Sequence, residues 1–182
     1  MGNTNKIFDG LLVLQHQSGN KKALSVLVHK YHRKFCKHSY WYTRDMDVSK
    51  DIVQDCWGII IHRLNGLRDP NSFGSWSMRI VTRRSLDYIR RAKRMNKNRE
   101  AYSRFAPEHE NNENRDSDQT KLLPAIRSLP NDQQVVLHLF YTEDYSLKEI
   151  AQILEISVGT VKSRLFHARE KLKTILKNRN DE

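Results

Sequence analysis

The stretch Ser146–Leu172, SLKEIAQILEISVGTVKSRLFHAREKL, decides the fold. Ser146 and Glu149 have the S-x-x-E spacing of a capping box and start a first helix. Ile150, Ala151 and Leu154 give that helix one apolar face, with Ala151 small enough for a second helix to cross closely. Glu155 and Ile156 make the turn. Ser157 caps the second helix, where Val161, Leu165, Ala168 and Leu172 recur at helical spacing and face inward. The opposite face carries Lys162, Ser163, Arg164, Phe166, His167 and Arg169. In a helix-turn-helix the second helix enters the major groove of DNA, and its N-terminal residues reach base edges. An ordinary helical hairpin with a solvated basic face has the same spacing. The rest of the chain decides between them.

Charge favours a nucleic-acid partner. The chain has 32 Lys and Arg against 21 Asp and Glu, a formal charge of +11, and the excess is clustered. Arg79–Arg99 holds nine basic residues and one acid, and Val158–Arg179 holds seven and one. Two separated basic blocks suit a protein that touches DNA at two places, because Lys and Arg displace counterions condensed on phosphate. Neither block reads as a lone interfacial helix. At 182 residues and 38% hydrophobic content, the chain can bury one modest core or two small helical ones.

No apolar run approaches the roughly 20 residues of a membrane span. The start, MGNTNKIFDGLLVLQHQSGN, has an early Asp9 and lacks a basic n-region, so a signal peptide is not expected and the cytoplasm is. Cys36 and Cys56 read as buried, reduced thiols. His29, His32 and Cys36 draw half a zinc site, but no second Cys/His cluster completes it, so neither metal nor cofactor is expected. No Ser/His/Asp or paired-carboxylate constellation argues for an enzyme.

The organisation reads as bipartite and all-α: a first domain over 1–97, a flexible linker over 98–120 and a second domain over 121–178. Leu11, Leu12 and Leu14 begin an apolar helix that stops at Ser18-Gly19-Asn20. Leu24, Leu27, Val28, Tyr31 and Phe35 mark a longer one. A third starts near Asp47 or Ser49 and runs to about Leu64, followed by a loop, Asn65–Ser72, and a last helix from Phe73 or Gly74. The stretch Ala106–Thr120, APEHENNENRDSDQT, holds five acids, one Arg and no large apolar residue. It cannot bury enough surface to offset ordering its backbone. Leu122, Leu123, Ile126 and Leu129 then resume the apolar pattern. Pro130 suits the first turn of a helix through Val135, Val136, Leu139 and Phe140.

Two helices of the first domain look functional. In Asp51–Leu64, DIVQDCWGIIIHRL, the residues Ile52, Val53, Cys56, Trp57, Ile59, Ile60 and Leu64 make a wide buried surface. Asp51, Gln54, Asp55, Gly58 and His62 remain as a narrow polar strip, which suits either a basic partner helix or plain solvation. In Phe73–Arg94, FGSWSMRIVTRRSLDYIRRAKR, one stripe holds Phe73, Trp76 and Ile80. Another holds Arg79, Arg83, Asp87, Arg90 and Arg94, flanked by Arg84 and Arg91. Cations beside aromatics suit single-stranded or distorted DNA, while an aromatic stripe at this spacing equally suits a helical core.

With these three segments in this order, the chain resembles the extracytoplasmic-function (ECF) group of the sigma-70 family of bacterial RNA polymerase. DIVQDCW resembles the D-x-x-Q-[DE]-x-[FW] segment of region two, implying that Asp51, Gln54, Asp55 and Trp57 bind the clamp helices of the largest subunit of the polymerase core. DPNSFGSWSMRIVTRRSLDYIRR resembles the segment that reads and melts the minus-ten element, implying roles there for Trp76, Arg79, Arg83, Arg84, Asp87, Arg90 and Arg91, with the loop Leu67–Phe73 capturing a flipped base. SVGTVKSRLFHAREKL is similar to the minus-thirty-five recognition helix of region four, implying contacts from Ser157, Thr160, Lys162, Ser163, Phe166 and His167. The family often has Asn at Arg83, Gly at Glu155 and Arg at His167. The resemblance further implies promoter DNA and an anti-sigma factor as partners, with no membrane insertion. A stand-alone helix-turn-helix regulator, binding a palindrome as a dimer, is the rival reading.

Overall fold

In the computed structural model every element among the described residues is helical; these are 3–100, 122 and 124–178, with backbone alone at 3, 93, 96–100 and 178. Positions 101–120, which contain the expected acidic linker Ala106–Thr120, lie outside them. The chain divides into two compact units, the first built from helices α1 to α4 and the second from α5, most of α6 and α7.

In the first unit, α1 (Asn3–Gln17) begins well before the leucines that signal it. Leu12 and Val13 are buried, whereas Leu11 and Leu14 are half exposed, so those two leucines are not core. Gly19, at φ 98°, ends the helix in the left-handed region where glycine carries no side-chain clash. Asn20 then caps α2 (Lys21–Thr43) by accepting from the Lys22 N–H. At the next corner, Arg44 takes φ 57° and donates its backbone N–H to the Tyr40 carbonyl. Asp45 caps α3 (Met46–Leu64) by accepting from Asp47 and Val48. A 3-10 turn, Pro70–Ser72, leads into α4 (Phe73–Glu100), which runs three residues beyond the boundary at 97.

Burial of Leu27, Tyr31, Phe35, Val53, Ile60, Leu64, Phe73 and Met78 makes one core between these helices. Each large apolar side chain taken from water contributes about 1.5–3 kcal/mol before entropy is counted. Tyr31 meets Phe73 edge-on at 5.2 Å, and Phe35 lies 5.3 Å from Trp57. Several polar groups inside are matched, although Trp57 Nε1 and His16 Nδ1 are buried without a hydrogen-bond partner among the described residues. His38 Nε2 lies 2.9 Å from Thr82 Oγ1, and Ser85 donates to Ser39 at 3.0 Å, tying α2 to α4. The buried Asp9 carboxylate accepts from the Tyr31 hydroxyl and from Lys30 Nζ, both at 2.6 Å.

Among the described residues, the second unit begins with helical positions at 122 and 124–127. Pro130 stands at the N-cap of α5 (Asn131–Leu137), one place before the first turn where it was expected. The helix then widens into a π turn, His138–Thr142, closed by the Glu143 N–H donating to the His138 carbonyl. Helices α6 (Leu147–Leu154) and α7 (Val158–Asn178) follow. The Ser146–Glu149 capping box is present in both directions. Ile150, Ala151, Val161, Leu165 and Ala168 are buried, as their spacing requires, and Leu172 is half buried.

Candidate nucleic-acid interface

Ser157 sets the start of α7. Its Oγ accepts from the Thr160 N–H at 3.0 Å and lies 2.8 Å from the Thr160 hydroxyl, so the cap engages both. One helical turn on, Lys162, Ser163, Phe166 and His167 all stand exposed on one face. Phe166 is 60% exposed, far more than a core ring would be, and lies edge-on to His167 at 5.5 Å. A cation, a hydroxyl, an imidazole and an apolar ring on one exposed face are groups of the kinds that can meet base edges and thymine methyls.

The two arginines of this helix go elsewhere. Arg164 Nε lies 3.2 Å from the Asp132 carboxylate of α5. Arg169 donates through Nε to the Tyr141 hydroxyl at 2.9 Å, with its guanidinium 5.7 Å from the Phe140 ring centre and 5.5 Å from that of Tyr141. Arg164 thus fastens α7 to α5, and Arg169 fastens it to the π turn that follows α5.

In α4, Phe73 is fully buried and Trp76 and Ile80 half buried, with Trp76 tilted against Phe73 at 6.2 Å. Trp76 therefore stands at the rim between core and surface. Arg83, Arg84, Arg90, Arg91 and Arg94 are exposed, and Arg79 and Asp87 half buried. Asp87 lies 3.4 Å from Arg90, a surface pair worth little.

The loop before α4 is held by α1, which sequence reasoning missed. Gln17 Nε2 donates to the carbonyls of Leu64 at 3.0 Å and Leu67 at 3.1 Å. Asp69 accepts from the Asn71 N–H at 3.1 Å and so shapes the 3-10 turn. That turn packs so closely on α1 that a Cβ at Gly10 would strike the Asn71 side chain. A lone glycine inside a helical apolar pattern was the available signal for such an approach. Nothing local signals the Gln17 bonds.

On α3, Asp51, Gln54, Asp55, Gly58 and His62 are exposed along one strip. Trp57 is not part of it: the ring is 7% exposed and packed on Phe35. Its spacing, i+2 from Asp55, turns it to the core side. Cys56 is fully buried, and burial pushes its thiol up to about 12, against a smaller opposing effect of Arg84. It stays protonated and fills space. His32 Nε2 lies 3.7 Å from Cys36 Sγ, and burial also raises the Cys36 thiol, while His29 and His32 face outward. No helix among the described residues is long and apolar enough to cross a membrane.

Comparison with known proteins covers both units. Residues 27–95 match the family model of sigma-70 region 2, and residues 119–172 match that of sigma-70 region 4. The ECF RNA polymerase sigma-E factor of Haemophilus influenzae is 28% identical over 177 residues, covering 91% of this chain and 93% of that protein. The RNA polymerase sigma factor SigV of Bacillus subtilis is 25% identical over 155 residues, covering 85% and 92%. Among solved structures, the sigma factor RpoE of Bartonella quintana in complex with the anti-sigma factor NepR aligns with a TM-score of 0.68 at 18% identity, covering 86% of this chain and 98% of that one.

Proposed function

Since the chain belongs to the sigma-70 family, within its ECF group, we propose that it directs RNA polymerase core to particular promoters and helps to open them. The observation that carries this reading is the coexistence on one chain of an acidic strip on α3, an arginine-rich α4 and an exposed reading face on α7. Residues 1–97 serve as region two, 98–120 as linker and 121–178 as region four. Asp51, Gln54 and Asp55 dock on the clamp helices of the largest polymerase subunit, and Trp57 positions them from beneath. Arg83, Arg84, Arg90 and Arg91 follow the backbone of the opened minus-ten element, with Trp76 and the Leu67–Phe73 loop beside its bases. Lys162, Ser163, Phe166 and His167 read the minus-thirty-five element, with Ser157 and Thr160 at the helix start.

Binding energy is the whole of the mechanism. Contacts to the separated strand favour the open promoter over the duplex, and the chain performs no covalent step. It works in the cytoplasm, where an anti-sigma protein covering the Asp51 strip would hold it inactive; the Bartonella protein is likewise found in complex with an anti-sigma factor. Run-off transcription with core polymerase on genomic fragments tests the reading. Initiation at defined promoters is expected, and Asp55→Lys should abolish core binding while the helical circular dichroism stays intact. Specific operator binding without core, or co-purification of Asp55→Lys with core at normal yield, would favour a self-sufficient regulator.

A further inference from the structure

Helix α2 contains six Lys and Arg residues, three His and no acidic residue. The core fixes which way it faces. Ala23, Leu27, Tyr31 and Phe35 are buried, so the opposite side of the helix points to solvent. That side exposes Lys22, Val26, His29, Arg33, Lys37 and Tyr40, a straight stripe at i, i+4, i+7, i+11, i+15 and i+18. At 1.5 Å per residue it is about 27 Å long, and Arg33 and Lys37 stand about 6 Å apart along the axis.

Among the described residues, the cations of the stripe are not paired within the fold. Lys30, at its edge, is turned onto the buried Asp9, and Lys50 of α3 pairs with Asp47. Lys22, Arg33 and Lys37, by contrast, have no carboxylate partner among the described residues. Like charges at i, i+4 repel along a helix, so Arg33 and Lys37 weaken α2 in isolation. A line of cations without carboxylate partners suits a line of anions supplied from outside. A duplex offers one, with closely spaced phosphates along a stiff rod.

We propose that the outer face of α2 is a further DNA contact of the first unit, in which Lys22, Arg33 and Lys37 hold backbone phosphates of duplex promoter DNA outside the melted segment. The inference rests on the promoter-directing reading above. It adds a sequence-blind contact to the unit that carries α4, and hydrogen bonds between α2 and α4 keep the two faces in fixed relation. The contact raises affinity for every promoter alike and makes it more dependent on salt.

The test uses the full chain with core polymerase and the triple variant Lys22→Gln, Arg33→Gln, Lys37→Gln, which keeps long side chains and good helix formers. Promoter affinity is measured against salt on a fragment trimmed to the two recognition elements and on one with longer flanking duplex. Each phosphate contact contributes about 0.9 to the slope of log affinity against log salt. The wild-type slope should be steeper on the longer fragment. In the variant it should fall by about two to three, and the difference between fragments should vanish. An unchanged slope with an unchanged melting temperature overturns the proposal. So does a loss of core association at unchanged DNA slope, which would assign the stripe to an acidic protein surface. A wild-type protein that forms no promoter complex with core overturns the promoter-directing reading as well, so the two failures are distinguishable.

Discussion

Arg169 and Lys162 share a helix and a charge, yet their surroundings give them opposite tasks. Lys162 projects into solvent, while Arg169 lies over two aromatic rings and donates to the Tyr141 hydroxyl at 2.9 Å. An exposed cation–π contact is worth about 0.5–1 kcal/mol and a hydrogen bond about as much. Arg169→Ala should therefore destabilise the second unit by about 1–2 kcal/mol, read as a lower melting temperature of its helical signal. The slope of promoter affinity against salt should stay as in the wild type, because no phosphate contact is lost. A slope reduced by about one at unchanged stability would reassign Arg169 to DNA.

At the scale of elements, the turn between α6 and α7 passes through one left-handed residue. Glu155 sits at φ 56° and ψ 42°, the left-handed region, with its N–H donating to the Ala151 carbonyl. A side chain costs about 1–2 kcal/mol there relative to the right-handed form, and glycine escapes most of that cost while losing more entropy on folding. Glu155→Gly is expected to stabilise the unit by up to about 1 kcal/mol, seen as a raised melting temperature, with promoter preference unchanged. A lowered melting temperature would show that the glutamate side chain contributes more than the turn costs. Helix α1 works in the same manner at a distance, since Gln17 and Gly10 hold and receive the loop that precedes α4.

For the whole molecule, two basic blocks, Arg79–Arg99 on the first unit and Val158–Arg179 on the second, predict two distinguishable kinds of DNA contact. Arg91 is exposed on α4, and in the proposed role as a phosphate contact Arg91→Ala should lower transcription from all promoters alike and reduce the salt slope by about one. Lys162→Ala and His167→Ala should instead weaken a cognate promoter by roughly 1–3 kcal/mol where the lost contact is bidentate to a base. His167→Ala should also relax preference at one position of the minus-thirty-five element, measured by transcription from a panel of single-base variants. Equal, sequence-blind losses for all three changes would reduce α7 to a phosphate clamp.

Sequence by itself determined the helical elements, the capping box at Ser146 and Glu149, the inward stripe of α7 and the family. All but the family depend on residues within a turn or two of one another, where periodicity and capping act, and the family followed from the order of three such segments. Tertiary structure alone decided what lies between distant residues. It turned Arg164 onto α5 and Arg169 onto the π turn, took Trp57 into the core and left Leu11 and Leu14 half exposed. It also joined Gln17 to carbonyls 47 and 50 residues away. The physical reason is the same in each case. A helix's own spacing shows which residues share a face, but which neighbour that face meets, and at what distance, is settled only when the helices pack.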